Sequence, residues 1–315
     1  MKNAIEYSND PYNFSVKYHA PSRDFKDFRS ECDNDALLLK SKGPLYVSFS
    51  SGIDSQLIAR CFIDQHVDAE YVFLYSEGYN DIEYEHVKQC EKFFGIKVNV
   101  FNIDINKFKD EWILRSRHEN PPRMHHYQFE YLSKILPEKY PIVFQGANEP
   151  AIVGTGKKVS IYHNYYDGMH VRMKMMSKYR EVIDFPFSPE CVASYYTDNI
   201  VKGFAHSMKY LNDNKLSRNN SPIGKMDHFE YFCKPILKGF YFKDQLIWYK
   251  KLNGYENYPD WIVKQFHVKE SRVSAPYWDL VEFLENSRTG HREYSGWIFD
   301  PETPGFITLN NLTVF

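Results

Sequence analysis

A short apolar run, Pro44-Leu45-Tyr46-Val47-Ser48-Phe49, meets six small or polar residues, Ser50-Ser51-Gly52-Ile53-Asp54-Ser55, and these lead into a helical pattern. A strand that ends in hydroxyl and glycine residues and then turns into a helix gathers backbone N–H groups at the helix N-terminus. Those amides have no intrahelical partner and the helix dipole favours negative charge there, so such a turn receives phosphate. Asp54 does not suit a bare anion site, because its charge repels phosphate. A magnesium ion between carboxylate and phosphates resolves the conflict. The combination points to a nucleotide di- or triphosphate handled as its metal complex. The plainer alternative is an ordinary strand-to-helix turn with a Ser/Asp cap.

Around this turn the pattern alternates between periods of two and 3.6. Strands are predicted at Leu45–Phe49, Tyr71–Tyr75, Lys97–Asn102 and Ile142–Gln145. Helices are predicted from about Asp24 to Lys40, over Gln56–Gln65 and Asp81–Phe94, and near Ile105–Arg117 and Met124–Leu136. Alternation of this kind implies βαβ units and a mostly parallel sheet, with ligands bound beyond the carboxyl ends of the strands. The Ser50–Ser55 turn follows one such end.

The segment Ser50–Ser55 resembles the SGGxDS signature of the PP-loop ATP pyrophosphatases, the superfamily that includes asparagine synthetases, GMP synthetases, NAD synthetases and several tRNA-modifying enzymes. It is unlike a Walker A loop, which requires a lysine that this segment lacks. The first glycine of the signature is replaced by Ser51, whose Cβ adds bulk to the loop. A second segment, Gln145-Gly146-Ala147-Asn148-Glu149-Pro150, resembles the second motif of the asparagine-synthetase branch, in which an aspartate shares the magnesium ion. Here Asn148 stands at that position, so the metal set implied is Asp54 with Asn148 or Glu149. Asp184–Glu190 resembles the region that opens that family's helical half. Tyr258–Lys264 with Lys269 resembles the stretch that supplies a transition-state lysine, which makes Lys264 and Lys269 the candidates beside Asp54 for catalysis.

The resemblance implies a Rossmann-like α/β fold of the PP-loop type with a more helical C-terminal portion. It implies an N-terminal extension with one helix over 1–43, an ATP-binding core over 44–155, a substrate-side portion over 156–275, and a tail of unassigned role over 276–315. The implied cofactors are ATP and Mg2+. Ser48, Ser50, Ser51, Gly52, Ile53 and Ser55 would surround the phosphates, with the Ser48, Ser50 and Ser55 hydroxyls donating to them. Tyr75 would neighbour the base, and Gln145 and Gly146 would border the nucleotide. The implied reaction is attack of a carboxylate or carbonyl oxygen on the α-phosphorus, loss of pyrophosphate, and transfer of the activated group to ammonia or another amine. About 43 residues precede the first core strand, too few for a glutaminase, so ammonia arrives free or from a separate subunit. Modification of a nucleobase or tRNA, by sulfur transfer or amidation, and nucleotide binding without turnover are the other readings.

Composition narrows the class. The 315 residues are 43% hydrophobic and 17% aromatic, enough for a substantial core with Tyr and Phe left to shape a pocket. The net charge of −2 gives no global pull toward nucleic acid or membrane. Five scattered cysteines form no C-x-x-C pair, and no long apolar run occurs, which fits a cytoplasmic enzyme with reduced thiols. Arg115, Arg117, His118, Arg123, His125 and His126 form a basic run that either receives an anionic substrate or RNA phosphate, or is a solvated loop. His163, His170 and the tyrosines Tyr162, Tyr165 and Tyr166 either line the acceptor pocket or pack as a loop.

Overall fold

The computed structural model describes residues 5–7, 15–19, 21–116, 124–144, 150–155, 158–163, 173, 175–197, 259–262, 292–299 and 306–314. Two short strands, β1 (Ile5–Tyr7) and β2 (Ser15–Tyr18), precede helix α1 (Phe28–Lys40). The sequence pattern starts that helix at Asp24. It begins later because the Asp27 carboxylate accepts from Ser30 N at 3.0 Å, capping the first turn and leaving residues 24–26 outside it.

The alternating part follows as β3 (Leu45–Ser48), α2 (Ile53–Asp64), β4 (Ala69–Tyr75), α3 (Asp81–Phe94) and β5 (Val98–Asn102). The helix expected from Ile105 is split into a 3-10 turn, Ile105–Phe108, and α4 (Lys109–Ser116). The Asp104 side chain accepts from Asn106 N at 3.1 Å, which favours the tighter turn. Next come α5 (Met124–Ile135), β6 (Ile142–Phe144), β7 (Pro150–Thr155), β8 (Lys158–His163), β9 (Val182–Asp184), α6 (Pro189–Thr197), β10 (Arg292–Phe299) and β11 (Phe306–Val314).

Five strands pair in parallel in the order β5-β4-β3-β6-β9. The first of them in sequence, β3, lies at the centre. The chain builds outward through β4 and β5, then crosses back to add β6 and β9 on the other side. The strand order therefore reverses between β3 and β6, the switch point at whose carboxyl ends open α/β sheets bind ligands. This is the Rossmann-like α/β sheet that the alternation predicts. Leu45, Tyr46 and Val47 of β3 are buried, as are Leu57, Ile58, Cys61 and Phe62 of α2 and Val87 and Cys90 of α3. Cys32 and Cys191 are free thiols in the same core, with their sulfurs 3.5 Å apart.

A second, mixed sheet runs β1-β2-β10-β8-β7, with β11 paired to β10. β2 and β10 are parallel there, and the other pairs are antiparallel. The segment 276–315, left without a role by the sequence, supplies β10 and β11. Within 156–275 the described residues contribute β8, β9, α6 and a helical turn at 260–262, while 198–258 and 263–275 lie outside the described residues.

Arg180 fixes the approach to β6. Its Nε donates to Ser133 O (2.8 Å), Nη1 to Glu138 O (2.8 Å) and Tyr140 O (3.1 Å), and Nη2 to Leu136 O (3.0 Å). The guanidinium carbon also lies 5.3 Å from the Tyr46 ring centroid. One planar fork thus satisfies carbonyls at the end of α5 and in the turn that follows. Lysine has neither the fork nor enough directed donors, so Arg180→Lys is expected to lose about 2 kcal/mol, read as a lower urea midpoint.

Candidate functional site

Phe49 stays tied to the sheet after β3 ends, its N–H donating to Val72 O at 2.9 Å. The chain then turns. Ser50 is exposed and Ser51 is fully buried. Ser51 has φ +59°, in the left-handed region that glycine enters freely and that costs another residue about 1–2 kcal/mol. Its Oγ is buried with no hydrogen-bond partner, while its carbonyl accepts from Gln56 Nε2 at 2.8 Å. Gly52 is the N-cap of α2, with φ −63° and ψ 160° and no side-chain cap. A Cβ at Gly52 would meet only Ser50 Oγ, at an ordinary 3.5 Å. Ile53 and Asp54, both half-buried, open the helix, so the Asp54 carboxylate sits in the first turn, where the amides have no intrahelical acceptor.

The serines of this loop are not equivalent. Ser48 is half-buried at the strand end. Ser55, expected to donate to phosphate, instead donates to Gly52 O at 3.0 Å, beside the Gln56 N–H that donates to the same oxygen at 2.9 Å. Its single proton is committed to shaping the turn. Backbone amides at the start of α2, the exposed Ser50 and the half-buried Ser48 are the groups left to face an anion.

Tyr75 ends β4 on the same carboxyl edge. Its hydroxyl donates to Asp81 Oδ1 at 2.7 Å, a contact that pushes it up to about 12, and its ring meets Tyr84 at 4.5 Å between centroids. The backbone around it is engaged. Asn80 Nδ2 donates to Leu74 O (3.0 Å), Asn80 Oδ1 accepts from Ser76 N (2.8 Å), and Ile103 N donates to Tyr75 O (2.8 Å). A base arriving here must displace the Asn80 carboxamide to reach the Ser76 amide, and would share the Leu74 carbonyl with it. Glu83, which the sequence reading passed over, lies one turn before Val87 on the inward stripe of α3. Burial pushes its carboxyl up to about 7, against a hydrogen bond with Asn80.

Gln145, Gly146, Asn148, Glu149, Lys264 and Lys269 lie outside the described residues. Their neighbours are informative. β6 ends at Phe144, beside β3 and at the switch point of the sheet. Trp261 Nε1 donates to Asn106 Oδ1 at 3.1 Å, and Asn106 Nδ2 donates to Tyr79 Oη at 3.2 Å. Ile262 is buried with Ile103, Ile105, Trp112, Met124 and Tyr127. Ile103 and Ile105 follow β5 directly, so the helical turn before Lys264 is anchored at the carboxyl edge of the sheet.

The basic run is partly consumed by structure. Arg115 pairs with Glu130 (2.6 Å) and Glu111 (3.4 Å) and stands 4.8 Å from the Tyr127 ring centroid, and His126 is buried. Arg117, His118 and Arg123 lie outside the described residues, as do His170, Tyr165 and Tyr166. Among the described residues no helix is long and apolar enough to cross a membrane.

The parallel sheet, its strand order and the loop at its switch point define a Rossmann-like α/β protein. No family model matches the chain, and no curated protein does either. Among solved structures, it is similar to a predicted subunit of tRNA methyltransferase from Methanocaldococcus jannaschii DSM, at 14% identity and TM-score 0.31 over 48% of this chain and 72% of that one. It is also similar to NMN synthetase from Francisella tularensis, at 8% identity and TM-score 0.30 over 77% of this chain and 94% of that one. Neither likeness reaches further than the fold already described.

Proposed function

We propose that the chain is a PP-loop ATP pyrophosphatase that adenylates a carboxylate or carbonyl oxygen and passes the activated group to ammonia or another amine, in the manner of an asparagine synthetase. One observation carries this reading: Ser51 stands where the SGGxDS signature has glycine, and its φ of +59° is the conformation that glycine would supply. At this position the loop therefore has a backbone shape that glycine adopts freely, although the residue is serine. It also occupies the carboxyl end of the central strand, beside the strand that leads into Gln145 and Gly146.

The amides at the start of α2 would hold the phosphate chain of ATP, and Asp54 would hold magnesium. Among the described residues no group of three His, Cys, Asp or Glu could bind a metal by itself. The fit is to an ion that takes its remaining ligands from phosphate oxygens and water, as magnesium commonly does. Bound there, the ion would neutralise charge on the departing pyrophosphate. The acceptor oxygen forms its bond to the α-phosphorus as the bond from that phosphorus to the bridging oxygen breaks, and the electron pair leaves with pyrophosphate. The protein's part is alignment and fixed dipoles. Lys264, two residues beyond the anchored Ile262, is the candidate to meet the leaving group. Buried free thiols at Cys32, Cys61, Cys90 and Cys191 accord with a cytoplasmic setting.

The test is release of AMP and pyrophosphate from ATP and magnesium across a panel of carboxylic acids and nucleobases. The expected result is acceptor-dependent AMP formation, with exchange of labelled pyrophosphate into ATP driven by a carboxylic acid. Exchange driven by tRNA or a nucleobase would move the acceptor class. Absence of both AMP formation and exchange with every acceptor would remove the catalytic reading.

A further inference from the structure

We infer that Gln56 is a positioning residue for the phosphate-receiving loop: by gripping the Ser51 carbonyl it turns the Gly52 N–H out of the core and lets a serine occupy the glycine position. The inference rests on the proposal that this loop receives phosphate, and it adds a residue outside the signature.

Gln56 is completely buried, and its Nε2 donates to Ser51 O at 2.8 Å. The Ser51 carbonyl is thereby directed inward. In a planar trans peptide the C=O and the following N–H point in opposite directions, so the Gly52 N–H is directed away from that contact. Were the peptide reversed, the negative end of its dipole would face the anion. The contact also resists relaxation of Ser51. Leaving the left-handed region rotates the peptides on either side of the residue, and the carbonyl would then quit Gln56. Nothing else about the side chain of Ser51 holds that shape, because its hydroxyl is buried without a partner. Glycine adopts φ near +60° unaided, whereas serine needs the backbone held.

Binding of inorganic pyrophosphate and of ATP, each with magnesium, is measured calorimetrically on the full chain as wild type, Gln56→Met, Ser51→Gly and the double variant, with thermal midpoints alongside. Gln56→Met is expected to weaken both ligands about tenfold, the scale of one buried hydrogen bond lost. Ser51→Gly is expected to raise the thermal midpoint. In the Ser51→Gly background, Gln56→Met is expected to cost less than about threefold, because glycine keeps the loop's shape without the grip. Equal losses in both backgrounds, or no loss in either, would overturn the inference while leaving nucleotide binding intact. If Gln56→Met does not fold, the wild-type Gly52 amide resonance decides. It is expected to shift on addition of pyrophosphate, and a fixed Gly52 signal beside shifting Ile53 and Asp54 amides would overturn the role. A wild-type protein that binds neither ligand would overturn the nucleotide reading and this inference with it.

Discussion

Asp54→Asn is expected to lower magnesium-dependent release of AMP and pyrophosphate from ATP by roughly a thousandfold, the scale of losing a principal electrostatic contact in a transition state. The fold should survive. Asparagine is tolerated in a first helical turn, and removing one carboxylate from the start of α2 costs less than about 1 kcal/mol through the helix dipole. Far-UV circular dichroism and the unfolding midpoint should stay close to wild type while the activity falls. A magnesium titration separates the possible causes, because loss of a metal-holding carboxylate raises the magnesium concentration needed for half-activity. Wild-type turnover at the same magnesium midpoint would show that Asp54 does not hold the metal.

The largest effect on stability is expected at Asp35, which no functional motif contains. The residue is fully buried in α1, and its Oδ2 accepts from Phe187 N (2.8 Å) and Ser188 N (3.0 Å) at the entry to α6. Asp35→Ala leaves those two buried amides without an acceptor, at a cost of about 3 kcal/mol. Burial pushes the Asp35 carboxyl up to about 6, against the pull of those amides. Its folded value thus lies above the ordinary 3.8, and the protonated form is favoured by folding. The corresponding stability is fully present below the unfolded value and is lost as pH rises through about 6, amounting to about 3 kcal/mol.

Glu31, on the same helix, behaves oppositely. Its burial works to raise it, but the Arg23 guanidinium, the Lys26 N–H and Asn34 hold it down to about 2. Its contribution is present above the ordinary 4.5 and is lost as pH falls from there toward 2, below the range in which Asp35 is read. Glu83, raised to about 7, overlaps that window. The decisive quantity is therefore the difference between wild type and Asp35→Asn in urea midpoint from pH 5 to 7.5. Wild type should gain on the variant as pH falls, and parallel curves would refute the assignment.

What could be read in advance follows from how local each signal is. Leu45–Ser48 and Ala69–Tyr75 form strands buried in the middle of a parallel sheet, so they appear as apolar runs before turns. The three residues of Val182–Asp184 are too few to carry a period, and only their register with Ile142–Phe144 makes them a strand. The position of Ser50–Ser55 at a strand end was legible for the same reason as the strand itself. The duties of Ser55, Gln56 and Asn80 were not, because each bonds a backbone group whose direction depends on the loop already being folded. A glutamine one turn into a helix reads as a solvent-facing residue until the carbonyl it grips is known. The left-handed backbone at Ser51 was hidden likewise, since serine gives no conformational warning where glycine would.

The register of the mixed sheet also has a consequence for how the molecule is made. Ser15 and Val16 of β2 pair with Glu293 and Tyr294 of β10. During synthesis β2 must wait, its edge open, until Glu293 and Tyr294 have left the ribosome. A nascent chain halted after Asp184 would hold all five strands of the parallel sheet but only β1, β2, β7 and β8 of the other, and the edges of β2 and β8 that β10 later covers would be its points of vulnerability to aggregation.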